Sequence, residues 1–221
     1  MAGMTPHETV GFSLGTPALV CRWRLAAGRL LLENRHMRAL ARRAVGGAAI
    51  SPELVAWAKQ HVEWTLAEGS HEHPDGVLML IVDENGAAAM TVGPYEPLAE
   101  TNERVLLARA QRAAYEQDGT GIAPETIFAY VDGEFMAGIA ANVDKSAASS
   151  LVVQLAQTLG IATTYRPDLA ALLAEGAIEA DETFLASDEH GIVVSSDRMG
   201  ERAARFAASY QRLFDNAHKK R

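Results

Sequence analysis

"ADETFLASDEHGIVVS", residues 180–195, sets two apolar runs on either side of a charged turn. Thr183-Phe184-Leu185 and Ile192-Val193-Val194 have the β-branched and aromatic content of strands, and Gly191 marks the turn between them. Asp188, Glu189 and His190 occupy that turn. A carboxylate next to an imidazole can move protons near neutral pH, so these three are candidate catalytic residues. A solvated surface loop would use the same letters.

Upstream, "SAASSLVVQLAQTLG" (146–160) reads as a helix that starts near Ser146 and stops at Gly160. "ETIFAYVDGEFMAG" (125–138) is a strand, a tight turn at Asp132-Gly133, and a second strand. "LAETNERVLLARAQRAAYEQ" before it is helical, a short helix lies around Leu169 to Leu173, and a last helix runs from roughly Gly200 to Ala217. The amino-terminal half has the same mixture. "PALVCRWRLAAGRLLLE" gives two strands about Ala26-Ala27-Gly28, and "ENRHMRALARRAV" gives a helix ended by Gly46-Gly47. "SPELVAWAKQHVEWTLAEG" gives a helix with Ser51 as cap and Pro52 in its first turn. "GVLMLIVDENGAAAMTVGP" gives a hairpin about Asp83-Glu84-Asn85-Gly86. The character changes after Pro94 and Pro97. The expected fold is α/β, with lobes at 1–95 and 102–221, a seam at about 93–101, and a site between the lobes.

The chain has 221 residues, a net charge of -8 and 22% charged residues. No dense cationic block appears apart from Lys219-Lys220-Arg221, which argues against nucleic-acid binding. One cysteine, Cys21, rules out an internal disulfide framework and fits a reducing compartment. No apolar stretch reaches the ~20 residues a bilayer requires, and MAGMTPHETVG lacks a signal-peptide layout. A cytoplasmic protein without membrane contact is expected.

The order of these elements, with "GFSLGTPALVCRWRLAAGRLLLENRHMRAL" and "ADETFLASDEHGIVVS", resembles the class IV aminotransferases. These are the pyridoxal-phosphate (PLP) enzymes of the branched-chain aminotransferase, D-amino-acid aminotransferase and aminodeoxychorismate lyase group. Gly28 and His36 fall at the family's spacing. The resemblance implies a fold-type-IV architecture of two lobes, a homodimer, and a cleft near the interface.

It also implies four PLP-binding roles. The phosphate-holding arginine falls at Ala39. The Schiff-base lysine should stand within 101–105, which read Thr-Asn-Glu-Arg-Val, and no lysine occurs between Lys59 and Lys145. The glutamate at the pyridine nitrogen falls at Ala137 in "EFMAGIAANV" (134–143), and the phosphate-binding threonine at Ala186. A strand pair and a Pro-Gly-x-Thr phosphate loop are missing between Asn142 and the next helix. The expectation is therefore a degenerate, shortened relative that uses no cofactor.

Such a protein would be an enzyme or binding protein for a small anionic molecule, a carboxylate or phosphate, confined to chemistry that side chains perform unaided. Specialised biosynthesis is a natural setting. Arg22 and Arg24, alternating with Trp23, are candidate anion clamps, and Lys145 and Ser146 open a helix where the phosphate loop would be. Plain explanations stand beside these: a solvent-facing arginine pair, and an N-cap with a solvated lysine. A non-catalytic pseudoenzyme that pairs with a relative is the alternative, and a PLP enzyme with Lys145 as relocated Schiff-base lysine is a third reading. "GFSLG" (11–15) matches the nucleophile-elbow expression but lacks its strand-then-helix context, so Ser13 reads as a turn residue. His71, Glu72 and His73 look like a chance cluster rather than a metal site.

Overall fold

The computed structural model describes residues 13–219. Strand β1 (Pro17–Ala26) sets the first layer. Side chains alternate across a strand, so Leu19, Cys21, Trp23 and Leu25 are buried while Val20 and Arg22 face outward. Ala27 and Gly28, with φ of 51° and 75°, form the two-residue turn to β2 (Arg29–Leu30).

Helix α1 (Glu33–Leu40) is shorter than the sequence suggested, because Gly46 and Gly47 do not simply stop a helix. With φ of 58° and 79° they make a hairpin turn between β3 (Ala44–Val45) and β4 (Ala48–Ala49). The buried Arg43 guanidinium, which donates to Thr120 Oγ1 (3.2 Å) and the Ile122 carbonyl (3.1 Å), holds the chain in that course. Helix α2 (Pro52–Gly69) starts as expected, with Ser51 Oγ accepting from the Leu54 N–H at 3.2 Å. Strands β5 (Val77–Asp83) and β6 (Ala88–Gly93) complete a four-stranded antiparallel sheet of order β2-β1-β5-β6.

Residues 94–102 carry no regular structure, and α3 (Glu103–Thr120) begins later than "LAETNERV" implied because Asn102 caps it, accepting from the Val105 N–H at 3.0 Å. β7 (Glu125–Val131), β8 (Glu134–Ala137), α4 (Ala147–Thr158), β9 (Thr163–Tyr165), α5 (Leu169–Ala174), β10 (Glu182–Ser187), β11 (Gly191–Val194) and α6 (Glu201–Lys219) follow. The second sheet has the order β11-β10-β7-β8-β9. The parallel edge strand β9 escaped the sequence reading, since three residues carry no usable periodicity. β7 and β10 are buried along their whole length. Phe128, Phe135, Phe184 and Phe206 stack between this sheet, α4 and α6, with the Phe184 and Phe135 rings each 5.2 Å from Phe206.

The two sheets meet at the β10–β11 turn. The Arg24 N–H donates to the Asp188 carbonyl at 3.1 Å, and Ala26, Leu31, Leu151 and Tyr210 form a small apolar cluster at the same joint. Among the described residues, no helix is long and apolar enough to cross a membrane.

Candidate functional site

The β10–β11 turn is held by its own serine: Ser187 Oγ accepts from the N–H groups of Glu189 (3.3 Å) and His190 (3.1 Å). Gly191 closes it at φ 73°, where a Cβ would lie 2.3 Å from the Tyr210 ring, so only glycine fits. The turn sends three consecutive side chains in three directions.

Asp188 points inward. Its Oδ1 accepts from the Ala148 N–H at 2.9 Å, in the first turn of α4, and its Oδ2 lies 3.6 Å from His36 Nδ1. Both side chains are nearly inaccessible, at 5% and 2% exposed. A helix N-terminus carries about half a positive charge and unpaired N–H groups, and here a carboxylate of the same chain answers both. His36 is stacked on Trp23 with ring centroids 4.9 Å apart, so it packs, and its Nδ1 has no hydrogen bond among the described residues. Ser146 is fully buried and caps α4, accepting from the Ser149 N–H at 3.2 Å and donating to Ser149 Oγ at 3.0 Å. It offers nothing to a ligand.

Glu189 points to β1. It receives Arg22 in a two-pronged pair, Nε–Oε2 at 2.6 Å and Nη2–Oε1 at 2.7 Å. That hydrogen bonding raises the Arg22 pKa further, and it leaves Arg22 already occupied by a carboxylate. His190 points the other way, its Nδ1 3.4 Å from the Tyr95 hydroxyl and its Nε2 4.0 Å from Glu189. Burial pushes the His190 pKa below its ordinary value, which keeps the ring neutral at pH 7. Burial also pushes the Tyr95 phenol up.

The other expected ligand-holding residues separate as well. The Arg24 guanidinium lies 3.5 Å above the Tyr95 ring and donates to the Asp75 carbonyl, which ties the loop at 70–76 to β1. Burial lowers its pKa. Asp75 in turn accepts from the Ala27 N–H at 2.8 Å, so the "SHEHPDG" loop serves as a clasp on the β1–β2 turn. Lys145 donates to the carbonyls of Ala141 (3.2 Å) and Val143 (3.1 Å). Arg22, Arg24 and Lys145 thus line three different cavities rather than one. Ser13 is exposed and precedes a strand, which is no nucleophile elbow; Gly11 and Phe12 of that phrase lie outside the described residues.

The cavity that Arg22 lines, about 220 Å³, lies between β1, α3 and the β10–β11 turn. Its charged groups are largely paired. Arg109 grips Glu125 with three contacts of 2.7 to 3.2 Å, and Arg43 lies 3.4 Å from Glu116, whose carboxyl burial pushes up. Arg112 is the one lining guanidinium with no carboxylate partner among the described residues. No motif in the sequence names this wall. Its signal was present on α3, where residues 109, 112 and 116 share one helical face, whereas nothing local marks Arg43 or Glu125.

The positions that the resemblance assigns to PLP are packed. Ala39, Ala137 and Ala186 are buried, at 8%, 0% and 0% exposed. Asn102 spends its side chain on capping α3.

No family model matches the sequence, and none of the curated proteins compared with it does. Solved structures do match. A 4-amino-4-deoxychorismate lyase from Pseudomonas aeruginosa aligns over 95% of each chain with a TM-score of 0.54 and 16% identity. The PLP-bound form of a hypothetical aminotransferase from Mycobacterium tuberculosis aligns over 95% of this chain and 94% of that one, with a TM-score of 0.53 and 14% identity. The Escherichia coli branched-chain amino acid aminotransferase aligns over 90% and 85%, with a TM-score of 0.53 and 12% identity. The chain is built on a class IV aminotransferase-like, fold-type-IV architecture.

Proposed function

We propose that this chain, a class IV aminotransferase-like fold, works without PLP and receives a small anionic molecule in the cavity between β1 and α3. One observation carries the reading: the Asp188 carboxylate sits on the Ala148 N–H at 2.9 Å, at the helix start where a cofactor phosphate would need the same donors. A phosphate dianion brought there would face a buried carboxylate at contact distance. The remaining groups do not fit the cofactor either. Buried methyls stand at three of its four contact positions, and no lysine lies at the fourth. The relocated-Lys145 reading loses its support because that ammonium is bound to two backbone carbonyls and lines a different cavity.

For the ligand, Arg112 is the group with charge to spare, and 220 Å³ suits a molecule smaller than the usual ligand pocket of about 300 Å³ or more. At this cavity Asp188 and Glu189 are both engaged, by the Ala148 N–H and by Arg22, and His190 opens elsewhere, which favours binding over acid–base catalysis there. The Tyr95–His190 pair, the best-placed proton carrier, opens elsewhere. A homodimer, as the resemblance implies, belongs to the same proposal.

The test has two arms. Incubation with one equivalent of PLP followed by borohydride should give at most scattered, substoichiometric labelling by mass spectrometry; a stoichiometric pyridoxyl adduct on one lysine refutes cofactor independence. A thermal-shift panel of small carboxylates should give stabilisation in the wild type that Arg112→Ala removes. Equal stabilisation of both proteins refutes the cavity assignment.

A further inference from the structure

Beside the packed Ala39 on α1 lies a second charged surface. Arg35, Arg38 and Arg42 lie three and four residues apart on α1 and its C-terminal extension, which places them on one face. They face the start of α4, where Lys145 and Ser150 complete a groove of about 580 Å³. Among the described residues the only carboxylate lining it is Asp144, against four cations.

The partners of these cations set them apart. Elsewhere Arg22, Arg43, Arg109, Arg166, Arg198 and Arg202 all pair with carboxylates. Here Arg35 donates to the neutral oxygens of Ser150 (2.9 Å) and Gln154, Arg38 to the Asn34 carbonyl (3.0 Å), and Lys145 to two carbonyls. Arg42 is exposed and makes no side-chain bond among the described residues. Neutral acceptors fix the orientation of a cation without cancelling its charge. Burial lowers the Arg35 pKa, and the neighbouring Arg38 charge adds to that. Like charges held together cost stability unless an anion joins them, and this happens on a chain whose net charge is -8.

We propose that the groove between α1 and α4 binds a small phosphorylated molecule, gripped by Arg35, Arg38, Arg42 and Lys145. Guanidinium forks match the oxygen pairs of a phosphoryl group, and a multiply charged anion balances the local excess better than a monocarboxylate. The N–H groups of α4 take no part, since Asp188 and Ser146 already accept from Ala148, Ser149 and Ser150. The site is therefore made of side chains and is separate from the cavity containing Arg112.

Inorganic pyrophosphate, titrated calorimetrically into the full chain at fixed ionic strength, is the probe. Saturable binding is expected in the wild type and in Arg112→Ala. The Arg38→Ala/Arg42→Ala double variant and Lys145→Ala should each weaken it at least about tenfold, the worth of a charge-assisted bond. In chloride the double variant should unfold at a urea midpoint no lower than the wild type's, because Arg38 bonds only to a carbonyl, Arg42 makes no side-chain bond among the described residues, and their removal relieves repulsion; if the double variant unfolds, Lys145→Ala decides alone. Absence of binding, equal binding by the groove variants, or loss in Arg112→Ala overturns the proposal. So does tighter binding of a DNA duplex or of phosphatidylserine vesicles than of pyrophosphate.

Discussion

Replacing Asp188 tests whether its carboxylate is the resident anion of α4. In Asp188→Ala the Ala148 N–H loses a charged acceptor at 2.9 Å inside a buried site. A hydrogen bond to a charged group contributes about 1.5–3 kcal/mol, and a favourable charge at a partly buried helix end up to about 2 kcal/mol. The two overlap, and relief from burying a carboxylate offsets part of them, so a loss of about 3 kcal/mol is expected. For a chain of this length that is roughly 6–12 °C in Tm. Asp188→Asn keeps an oxygen and loses the charge, so it should fall between, at about 1–2 kcal/mol. Urea unfolding of the three proteins measures this directly.

The second half of the test is rescue. With the carboxylate gone, inorganic phosphate should bind the vacated helix end and stabilise the variant by about 2.7 kcal/mol at a hundred times its Kd. Measured in the Arg38→Ala/Arg42→Ala background, which lacks the α1 groove, the gain should appear with Asp188→Ala and be absent with Asp188 intact. If both substitutions stay within about 0.5 kcal/mol of wild type, or if phosphate stabilises the chain equally with Asp188 present, the carboxylate does not fill that seat.

Two further outcomes follow from the same joint. His190 is held neutral by burial, so its pKa is lower folded than unfolded. Below the ordinary imidazole value of about 6.5 the unfolded chain therefore binds more protons, and stability falls as the pH drops from there. His190→Gln should fall less steeply over that window in pH-dependent thermal melts; identical slopes would count against the buried neutral ring. Ser146→Ala removes the α4 cap and breaks the chain of hydroxyls through Ser149 to Thr126 (2.9 Å), and should lower the urea-derived stability by about 2 kcal/mol. A change under about 0.5 kcal/mol would show that the cap is redundant.

The parts of the fold legible in the sequence are those with local causes. Ser51 and Ser146 stand at helix starts, where each accepts from an N–H three residues on, and Asp132-Gly133 turns a hairpin for equally local reasons. Where tertiary contacts decide, the letters mislead. "ENRHMRALARRAV" has helical composition to its end, yet Arg43 is drawn to Thr120 and Ile122, far along the chain, and the helix stops at Leu40. The site behaves likewise. Asp188, Glu189 and His190 were visible as a charged turn, but their separate directions depend on Ala148, Arg22 and Tyr95, which no spacing rule connects to them.

The alanines at 39, 137 and 186 could be read from the sequence; the carboxylate seated on the first turn of α4 could not. A coenzyme phosphate binds from solution and pays the entropy of association, whereas Asp188 is tethered to the strand that ends beside α4. An intramolecular group competes at an effective concentration that reaches millimolar values even through a flexible link, and here the turn is fixed by Ser187 and Gly191. Restoring the lost arginine, lysine or threonine one at a time would therefore leave the helix end occupied. On the proposed reading, PLP binding by this chain would have to begin with removal of the Asp188 carboxylate, and an Ala39→Arg variant that bound PLP with Asp188 intact would contradict that order.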